Sequence, residues 1–436
     1  MSDPILIGCV TIAALLALVA VRVPVAIAMV VVSVAGLATV AGPAFVLTTT
    51  ETLPYAVASE YAFVVVPMFM LMGALTSATG ITGELYTAAY RWTSGMKGSL
   101  YYATTLASGG FGAINGSTIV SSVLFTRIAL PEMQRFGYSM PLSAGCICAA
   151  GTFAALIPPS IAMVIYALLT NESIGALLIA GLVPGLLTIA VYLVGIRVLL
   201  AARPQIAPAT TDRFSLAQKV TSLKGLWAII LLIVVVLGGI YSGAMFPASA
   251  GAVGAGGAML IGFARRRLTG HSLWTSLQEA VVMTAVLFLI IIAGLMLSRL
   301  LLFSGFVAEL SGFATNAGLT LPVFMIGVVI LYLVLGMFVD GVSMMVMTVP
   351  FLYPIASDLG ANPIWFGVIV VKLIEIGAIT PPVGLNLFAV IGASDGVVRS
   401  AALYAGVLPF LVMEAVTLTL LMAFPAISLW LPSQMY

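Results

Sequence analysis

The sequence predicts an all-α polytopic membrane protein made of two inverted-topology repeats, each with five crossings and one re-entrant hairpin. Three observations predict this fold class. Hydrophobic residues make up 62% of the 436-residue chain and charged residues 7%, whereas soluble domains have about 45–50% and about 25%. The 43 glycines and 22 prolines suit membrane helices that are interrupted at depth. Helix-breaking residues also recur between the two halves of the chain.

The composition excludes several classes of function. A net charge of +2 offers no basic face to nucleic acid. His271 is the single histidine, and Cys9, Cys146 and Cys148 lie in apolar runs, where cysteines usually act as small hydrophobic residues. We therefore expect no enzyme activity, no organic cofactor and no zinc site.

Apolar stretches divide the chain into ten candidate crossings, since a helix needs about 20 apolar residues to span a bilayer. Two glycine-punctuated segments, 98–135 and 321–358, stand apart and are predicted to be re-entrant hairpins. Paired prolines interrupt two of the crossings, 139–170 and 363–394. The crossings are 4–21, 25–41, 62–79, 139–170, 176–200, 226–241, 243–264, 277–297, 363–394 and 402–430.

The remaining segments complete the two repeats. Residues 80–97 and 305–319 are predicted to be short interfacial arm helices on opposite faces of the membrane. The polar stretch 203–224 is predicted to be a cytoplasmic connector between repeat 1 (1–202) and repeat 2 (225–436).

The lysines and arginines predict the orientation, because they concentrate in cytoplasmic loops. With both termini outside and both hairpins re-entrant, 14 of the 16 basic residues fall on the cytoplasmic side or at its edge, while Arg299 lies outside and Lys372 lies within a span. A full crossing by either hairpin would put the later charges on the wrong face. The cytoplasmic residues are Arg22, Arg91, Lys97, Arg127, Arg135, Arg197, Arg203, Arg213, Lys219, Lys224, Arg265, Arg266, Arg267 and Arg399.

Helix-breaking residues recur at a near-constant offset. Five crossings per copy is an odd number, so the second copy enters the membrane from the opposite face and the repeat is inverted. At an offset of 223, the recurring pairs are Pro131 and Pro354, Gly137 and Gly360, Pro158 and Pro381, and Pro159 and Pro382. At an offset of 225, they are Asn115 and Asp340, Gly116 and Gly341, and Pro184 and Pro409.

Each half has two backbone breaks at membrane depth: a hairpin tip, at 112–118 or 340–343, and an interrupted span, at 157–160 or 380–386. Paired prolines free carbonyl oxygens of the preceding turn, and these oxygens with Ser, Thr, Asn and Asp side chains suit a hard monovalent cation. Helix N-termini within the membrane favour an anion. Proline kinks also occur in ordinary membrane helices, but four symmetric breaks favour a cation-coupled carrier of anionic solutes.

Few ionisable residues lie at membrane depth. Asp340 is the strongest functional candidate, because a carboxylate is costly there, and its counterpart Asn115 is neutral. Lys372 and Glu375 are three residues apart and are predicted to form a structural ion pair, although Glu375 lies close to the second interrupted span.

Several motifs resemble those of the large membrane subunit (M, DctM-like) of tripartite ATP-independent periplasmic (TRAP) transporters. The resemblance covers essentially the whole chain, with one departure: Thr118 stands at a tip position where related sequences commonly have Gly or Ala. The motifs are Asn115–Thr118 (NGST), Pro131–Tyr138 (PEMQRFGY), Leu156–Ser160 (LIPPS), Ala180-Gly181 with Pro184-Gly185, and Glu375–Phe388 (EIGAITPPVGLNLF).

The resemblance implies an elevator-type secondary transporter in the inner membrane of a bacterium or archaeon, with both termini periplasmic. It would import a small organic anion, a carboxylate such as a dicarboxylate, with sodium ions as the coupling ions. Its partners would be a small four-helix membrane subunit (Q) and a periplasmic substrate-binding protein (P). We expect Q to be a separate chain, because the sequence begins directly with the first large-subunit span.

The resemblance also implies which segments move and which residues bind. The hairpins and the two interrupted spans would move against a static scaffold formed by the arms and by spans 4–41, 176–200, 226–264 and 402–430. The substrate would lie between the tips. One sodium site would be framed by Asn115, Gly116, Ser117, Thr118, Pro158 and Ser160. The other would be framed by Asp340, Gly341, Ser343, Thr380, Pro381, Gly384 and Asn386.

Three other functions are alternatives to this one: a free-standing symporter, an intramembrane hydrolase and a channel. A free-standing sodium–dicarboxylate symporter of similar architecture would differ in needing no added binding protein. An intramembrane serine hydrolase would need a general base, whereas His271 follows a basic cluster and is predicted to lie in a cytoplasmic loop. A channel is less favoured than a carrier, because inverted repeats suit alternating access.

Overall fold

The computed structural model describes residues 3–208 and 212–435, and these residues form helices with no β-strand among them. The helices of residues 3–208 are α1 (Pro4–Ala20), α2 (Val25–Val40), α3 (Pro43–Ser59), α4 (Val65–Ala78), α5 (Ile81–Thr93), α6 (Ser99–Asn115), α7 (Thr118–Arg135), α8 (Met140–Gly151), α9 (Ile161–Thr170) and α10 (Ile174–Ala202).

The second half begins after a short amphipathic helix, α11 (Leu216–Leu223), in the predicted connector. Its helices are α12 (Trp227–Tyr241), α13 (Pro247–Ala264), α14 (Gly270–Phe303), α15 (Phe306–Asn316), α16 (Leu321–Gly336), α17 (Gly341–Asp358), α18 (Pro363–Ala378), α19 (Leu385–Ala393), α20 (Ser400–Ala423) and α21 (Ala426–Leu429).

The two halves present matching orders of helices. The series α5 to α10 corresponds one to one with α15 to α20, and α1 and α2 correspond with α12 and α13. Ser99 begins α6 and Leu321 begins α16, 222 residues later, while Thr118 begins α7 and Gly341 begins α17, 223 residues later. Between these series, the first half has two helices, α3 and α4, where the second half has the single 34-residue helix α14. The inversion of one half relative to the other stays a prediction.

All ten predicted crossings coincide with helix. Within residues 3–208 and 212–435, six helical segments are long and apolar enough to cross a membrane by length and composition: 61–78, 174–202, 216–241, 247–264, 270–303 and 400–423. The helices α1 and α2, with 17 and 16 residues, are shorter than the usual length of about 20. The interrupted spans consist of shorter helices, α8 with α9 and α18 with α19.

Two features of the fold differ from the sequence prediction. The helix α3 was not expected, because the polar run Thr48–Glu51 lowers the hydropathy of that stretch. It packs beside the end of α14, where the rings of Phe45 and Phe303 are 4.5 Å apart and Arg299 donates to the Thr49 hydroxyl at 3.4 Å. His271 lies in the first turn of α14 and is exposed, rather than in a loop.

The helices pack as two groups. In the outer group, α1, α2, α4, α12, α13 and α14 pack on one another. In the hairpin group, α6 to α10 and α16 to α20 pack together. A very close approach joins α8 and α20, since a methyl group placed on Gly145 would lie 2.2 Å from the carbonyl oxygen of Gly406.

This division bears on the expected scaffold, whose static role stays a prediction. Spans 176–200 and 402–430, which form α10 and α20, were expected to lie in the static scaffold. They instead pack inside the hairpin group, against α6, α8, α9 and α18. Their apolar sequences resemble those of lipid-facing or scaffold helices, so the sequence did not distinguish the two placements.

Candidate functional site

The first hairpin tip is the turn between α6 and α7. Gly116 adopts a left-handed conformation, φ +65°, which allows α6 to end sharply. Ser117 caps α7 by accepting a hydrogen bond from the Val120 amide at 3.5 Å. The Asn115 side-chain amide donates to the Ser117 carbonyl at 2.9 Å, so the tip is closed by its own polar residues.

The first interrupted span breaks between α8 and α9. The chain passes through a 3-10 turn, Thr152–Ala155, and then through the cis bond between Pro158 and Pro159. Ser160 caps α9: its hydroxyl accepts from the Met163 amide at 3.2 Å and donates to the Ala155 carbonyl. Both functions of this hydroxyl therefore serve the local backbone.

The first tip and the first break are in direct contact. A methyl group placed on Gly116 would lie 2.7 Å from the carbonyl oxygen of Pro159. The carbonyl that precedes Ser160 therefore lies against the tip backbone, and the structure brings together the predicted residues of the first half.

The second tip lies between α16 and α17. Asp340 caps α17, and its Oδ1 accepts from the Ser343 amide at 2.9 Å. The Ser343 hydroxyl is buried and has no hydrogen-bond partner among the described residues. A methyl group on Gly341 would lie 2.2 Å from Cγ2 of Ile374 in α18, so this tip packs on the span that contains the second break.

The second break separates α18 from α19. The Thr380 hydroxyl donates to the Ile376 carbonyl at 2.6 Å, and the Pro381–Pro382 bond is cis. Gly384, φ +47°, precedes α19, and a methyl group on it would lie 3.0 Å from the carbonyl oxygens of both Ala378 and Thr380. Two carbonyls at the end of α18 therefore converge on one point of the backbone.

A hydrogen bond joins the two halves at these breaks. The Thr118 hydroxyl donates to Oδ1 of Asn386 at 3.2 Å. Asn386 is fully buried, and its Nδ2 has no hydrogen-bond partner among the described residues. Around this bond α19 packs on α7, and α9 packs on α17. Asn386, which was grouped with the second sodium site, thus lies at the first tip.

The helix ends give the breaks their electrostatic character. At each tip and each break, one helix ends with free carbonyl groups and the next begins with free amides. The carbonyl ends of α6, α8, α16 and α18 favour a cation, and the amide ends of α7, α9, α17 and α19 favour an anion. No three His, Cys, Asp or Glu side chains within residues 3–208 and 212–435 are placed to hold a metal ion, so carbonyls, hydroxyls and single carboxylates are the available ligands.

The first tip faces a crevice between the two packing groups. Asn115 and Ser117 line this crevice, and Glu279 of α14 lies on its opposite wall. Glu279 is exposed. The other residues that line this crevice are apolar: Met70, Ala74, Val120, Ile161, Ala280 and Met283.

Sequence reasoning missed two sets of polar residues. Ser121 and Ser122 lie one turn after the first tip, and their buried hydroxyls have no partner among the described residues. Glu414 lies in α20 and is fully buried. Both had a sequence signal, because the serines directly follow the tip motif and Glu414 is the only charged residue of span 402–430.

The predicted ion pair between Lys372 and Glu375 is confirmed. Their side chains lie 2.7 Å apart in α18, and both are fully buried. Lys372 also contacts Glu414 at 2.5 Å, which was not expected and which ties α18 to α20.

Comparison with known proteins identifies the family. A family profile described as "Tripartite ATP-independent periplasmic transporter, DctM component" matches residues 12–427. The chain is 37% identical to the C4-dicarboxylate TRAP transporter large permease protein DctM of Pseudomonas aeruginosa, over 86% of this chain and 87% of that protein. It is 31% identical to the sialic acid TRAP transporter large permease protein SiaM of Vibrio cholerae, over 86% of each.

The fold is also similar to that of a solved transporter. The YdaH transporter of Alcanivorax borkumensis superposes with a TM-score of 0.59 and 16% identity, over 88% of this chain and 89% of that one. This identity supports a likeness of fold alone. The family profile and the identity to the large permeases show the family of this protein. The chain belongs to the DctM family, the large permease component of TRAP transporters.

Proposed function

We propose that this permease couples sodium entry to the import of a small organic anion, delivered by a periplasmic binding protein, by an elevator mechanism. The observation that carries the proposal is the junction at the tips. There, Thr118 binds Asn386 across the two halves, and buried polar atoms of Asn386 and Ser343 have no partner among the described residues. Unpartnered buried polar groups are costly and persist where a ligand completes them.

The arrangement of oxygen atoms supports a monovalent cation as the coupling ion. The carbonyls of Ala378 and Thr380 converge at Gly384, and the Pro159 carbonyl lies at the first tip. The Asp340 carboxylate supplies one negative charge at the second tip. Carbonyl oxygens with at most one carboxylate suit a singly charged hard cation better than a transition metal.

A carboxylate is the substrate class that the relatives and the helix ends support. Two of the relatives are named for the compounds that their transporters carry, a C4-dicarboxylate and sialic acid, and both compounds are carboxylates. The amide ends of α7, α9, α17 and α19 provide hydrogen-bond donors of the kind that bind carboxylates.

Polar contacts between distant residues support the predicted grouping of residues by membrane face, on which the proposed orientation with both termini periplasmic depends. Glu84 of α5 binds Arg265 at 2.9 Å and Arg267 at 2.8 Å, and all three are predicted to be cytoplasmic. Tyr353 donates to Glu172 at 2.7 Å, and both are predicted to lie near the outer face. Each contact joins residues that the proposed orientation places on one side.

The two packing groups support an elevator. The outer group meets the tips through glycines: a methyl group on Gly73 of α4 would lie 2.8 Å from Oδ1 of Asn115, and one on Gly294 of α14 would lie 1.6 Å from Cγ1 of Val346. The outer group therefore presents glycine, without a side chain, at these two close contacts. The hairpin group, in contrast, is tied internally by the buried contacts of Lys372, so we propose that it moves as one body.

A test is uptake into proteoliposomes that hold this permease and its small membrane subunit Q. A labelled dicarboxylate would be supplied with and without its periplasmic binding protein, and with and without an inward sodium gradient. The proposal expects uptake that needs both the binding protein and sodium.

The alternative function gives a different result in the same assay. Sodium-driven uptake without any binding protein would identify a free-standing sodium–dicarboxylate symporter. Uptake that is indifferent to sodium would contradict the role proposed for both tips.

A further inference from the structure

A cluster of charged residues lies in the middle of the hairpin group, away from the tips. Lys372 Nζ is 2.7 Å from Oε2 of Glu375 and 2.5 Å from Oε2 of Glu414. The Tyr192 hydroxyl of α10 donates to Oε1 of Glu414 at 2.6 Å, and Lys372 donates to the Thr188 hydroxyl at 3.3 Å. The side chains of Lys372, Glu375, Glu414 and Tyr192 are all fully buried.

The charges of this cluster do not balance if every group is ionised. Two carboxylates and one ammonium leave one negative charge in a buried, membrane-embedded site, where an unbalanced charge is very costly. The other titratable groups that face the cluster are Tyr192 and Cys146, and neither carries a charge at neutral pH. Balance therefore requires one further positive charge.

The contacts indicate which of the two glutamate carboxylates carries this positive charge, as a bound proton. Glu414 accepts a hydrogen bond from Tyr192 on Oε1. Its Oε2 forms an ion-pair contact with Lys372 that lacks hydrogen-bond geometry, and the two contacts together stabilise its ionised form. Oε1 of Glu375 has no hydrogen-bond partner among the described residues. The nearby Leu156 amide faces the Glu375 carboxylate but already donates to the Phe153 carbonyl at 3.2 Å. Lys372 occupies the position between the two carboxylates, where a metal ion would otherwise sit.

We propose that the cluster is a proton-binding site, in which one proton is held on Oε1 of Glu375. Glu414 and Lys372 are then the ionised pair, and the cluster as a whole is neutral. It joins α10, α18 and α20 with the first break, because Glu375 faces Leu156, two residues before Pro158. Glu375 is thus a positioning residue for that break.

Infrared spectroscopy of the reconstituted protein tests this proposal directly. A protonated carboxyl group has a C=O stretching band that an ionised carboxylate lacks. The wild-type protein is expected to show this band at neutral pH, and Glu375→Gln is expected to remove it. Glu172→Gln is the matched control, since this carboxylate near the outer face accepts from Tyr353 outside the cluster, and the band should persist.

Uptake by the same variants supplies an independent readout. Glu375→Gln resembles a neutral carboxylic acid, so its uptake and its half-maximal sodium concentration should stay within about twofold of wild type. Of the two carboxylates beside Lys372, Glu414→Gln leaves Glu375, which should release its proton and pair with the ammonium, so the carboxyl band should disappear from this variant as well.

Two results would overturn the proton site. One is the absence of the carboxyl band from the wild-type protein. The other is its persistence in Glu375→Gln. The infrared measurement involves neither sodium nor substrate, so it tests the proton site even if the proposed transport function fails. It also remains informative if Glu414→Gln does not fold.

Discussion

Asp340 has two functions at the second tip. It caps α17 through the Ser343 amide, and it supplies the only carboxylate of the predicted site residues. Its importance could be predicted from the sequence, because an acidic residue between two apolar segments is expensive in a membrane. The sequence could not predict that the Ser343 hydroxyl and the Asn386 amide are buried without a partner among the described residues, because burial and pairing depend on helices that are distant in the chain.

The two functions of Asp340 can be separated by substitution. Asn keeps the helix cap, since Asn and Asp are equally good in that position, but removes the charge. We expect Asp340→Asn to raise the sodium concentration for half-maximal uptake by about tenfold or more, the loss expected when a charged ligand worth about 1.5–3 kcal/mol is removed.

Asp340→Ala is the matched comparison. It loses the cap as well, so the protein should also unfold more readily, by about 1 kcal/mol. Thermal unfolding and sodium-dependent uptake measure the two effects. Equal sodium dependence in wild type and Asp340→Asn would contradict an ion-binding role.

Gly116 sets the geometry of the first tip. Its φ of +65° disfavours any residue with a side chain, and an added methyl group would lie 2.7 Å from the Pro159 carbonyl. We expect Gly116→Ala to reduce uptake strongly, because the tip or the break must shift.

A suitable control for this substitution is Gly312→Ala in α15, where nothing lies within 4 Å of the added methyl group. Its uptake should match wild type. Uptake by Gly116→Ala at the wild-type level would show that the tip does not need this close contact.

At the scale of elements, the interrupted helices are the features that the sequence predicted best. Prolines and glycines at matching positions placed both tips and both breaks, because these residues cannot continue a helix without cost. The pairing of α19 with α7 and of α9 with α17 was not predictable, since both faces are apolar and similar in composition. The hydrogen bond between Thr118 and Asn386, which are 268 residues apart in the chain, is direct evidence for the pairing of α19 with α7.

A double-mutant cycle tests that pairing. Thr118→Val and Asn386→Leu each remove one partner of the hydrogen bond, and the double variant removes both. We expect the single effects on the free energy of sodium binding to be non-additive by about 0.5–1.5 kcal/mol, measured from sodium-dependent uptake. Additive effects would indicate that the two side chains act independently at the site.

At the scale of the whole molecule, the division into two packing groups is the basis of the proposed movement. The membrane class and the approximate number of spans follow from composition and hydropathy. The assignment of α10 and α20 to the hairpin group does not follow from composition or hydropathy. It depends on contacts such as that between Gly145 and Gly406 and on the buried pair of Lys372 and Glu414. Only the folded arrangement reveals that these helices belong with the hairpins.

Disulfide cross-links test the division, in a background without the three native cysteines. Gly294→Cys with Val346→Cys would join α14 to α17 across the two groups, where a Cβ on Gly294 would lie 3.0 Å from that of Val346, which is shorter than the about 3.5–4.5 Å of disulfides and requires a small separation of the two helices. We expect oxidation to stop uptake and reduction to restore it.

The matched control joins two helices of one group. Gly195→Cys with Met413→Cys would link α10 to α20, because the Met413 side chain packs on Gly195. Its oxidation should leave uptake unchanged. Loss of uptake on this second oxidation would mean that α10 and α20 move against each other and do not belong to one moving body.

The most direct test of sodium coupling is the simultaneous flux of labelled sodium and labelled substrate in proteoliposomes that contain the permease, Q and the binding protein. We predict that sodium enters only when substrate and binding protein are both present, and that the two fluxes keep a constant ratio and fall together in Asp340→Asn. Substrate entry without accompanying sodium entry would contradict sodium coupling at the tips.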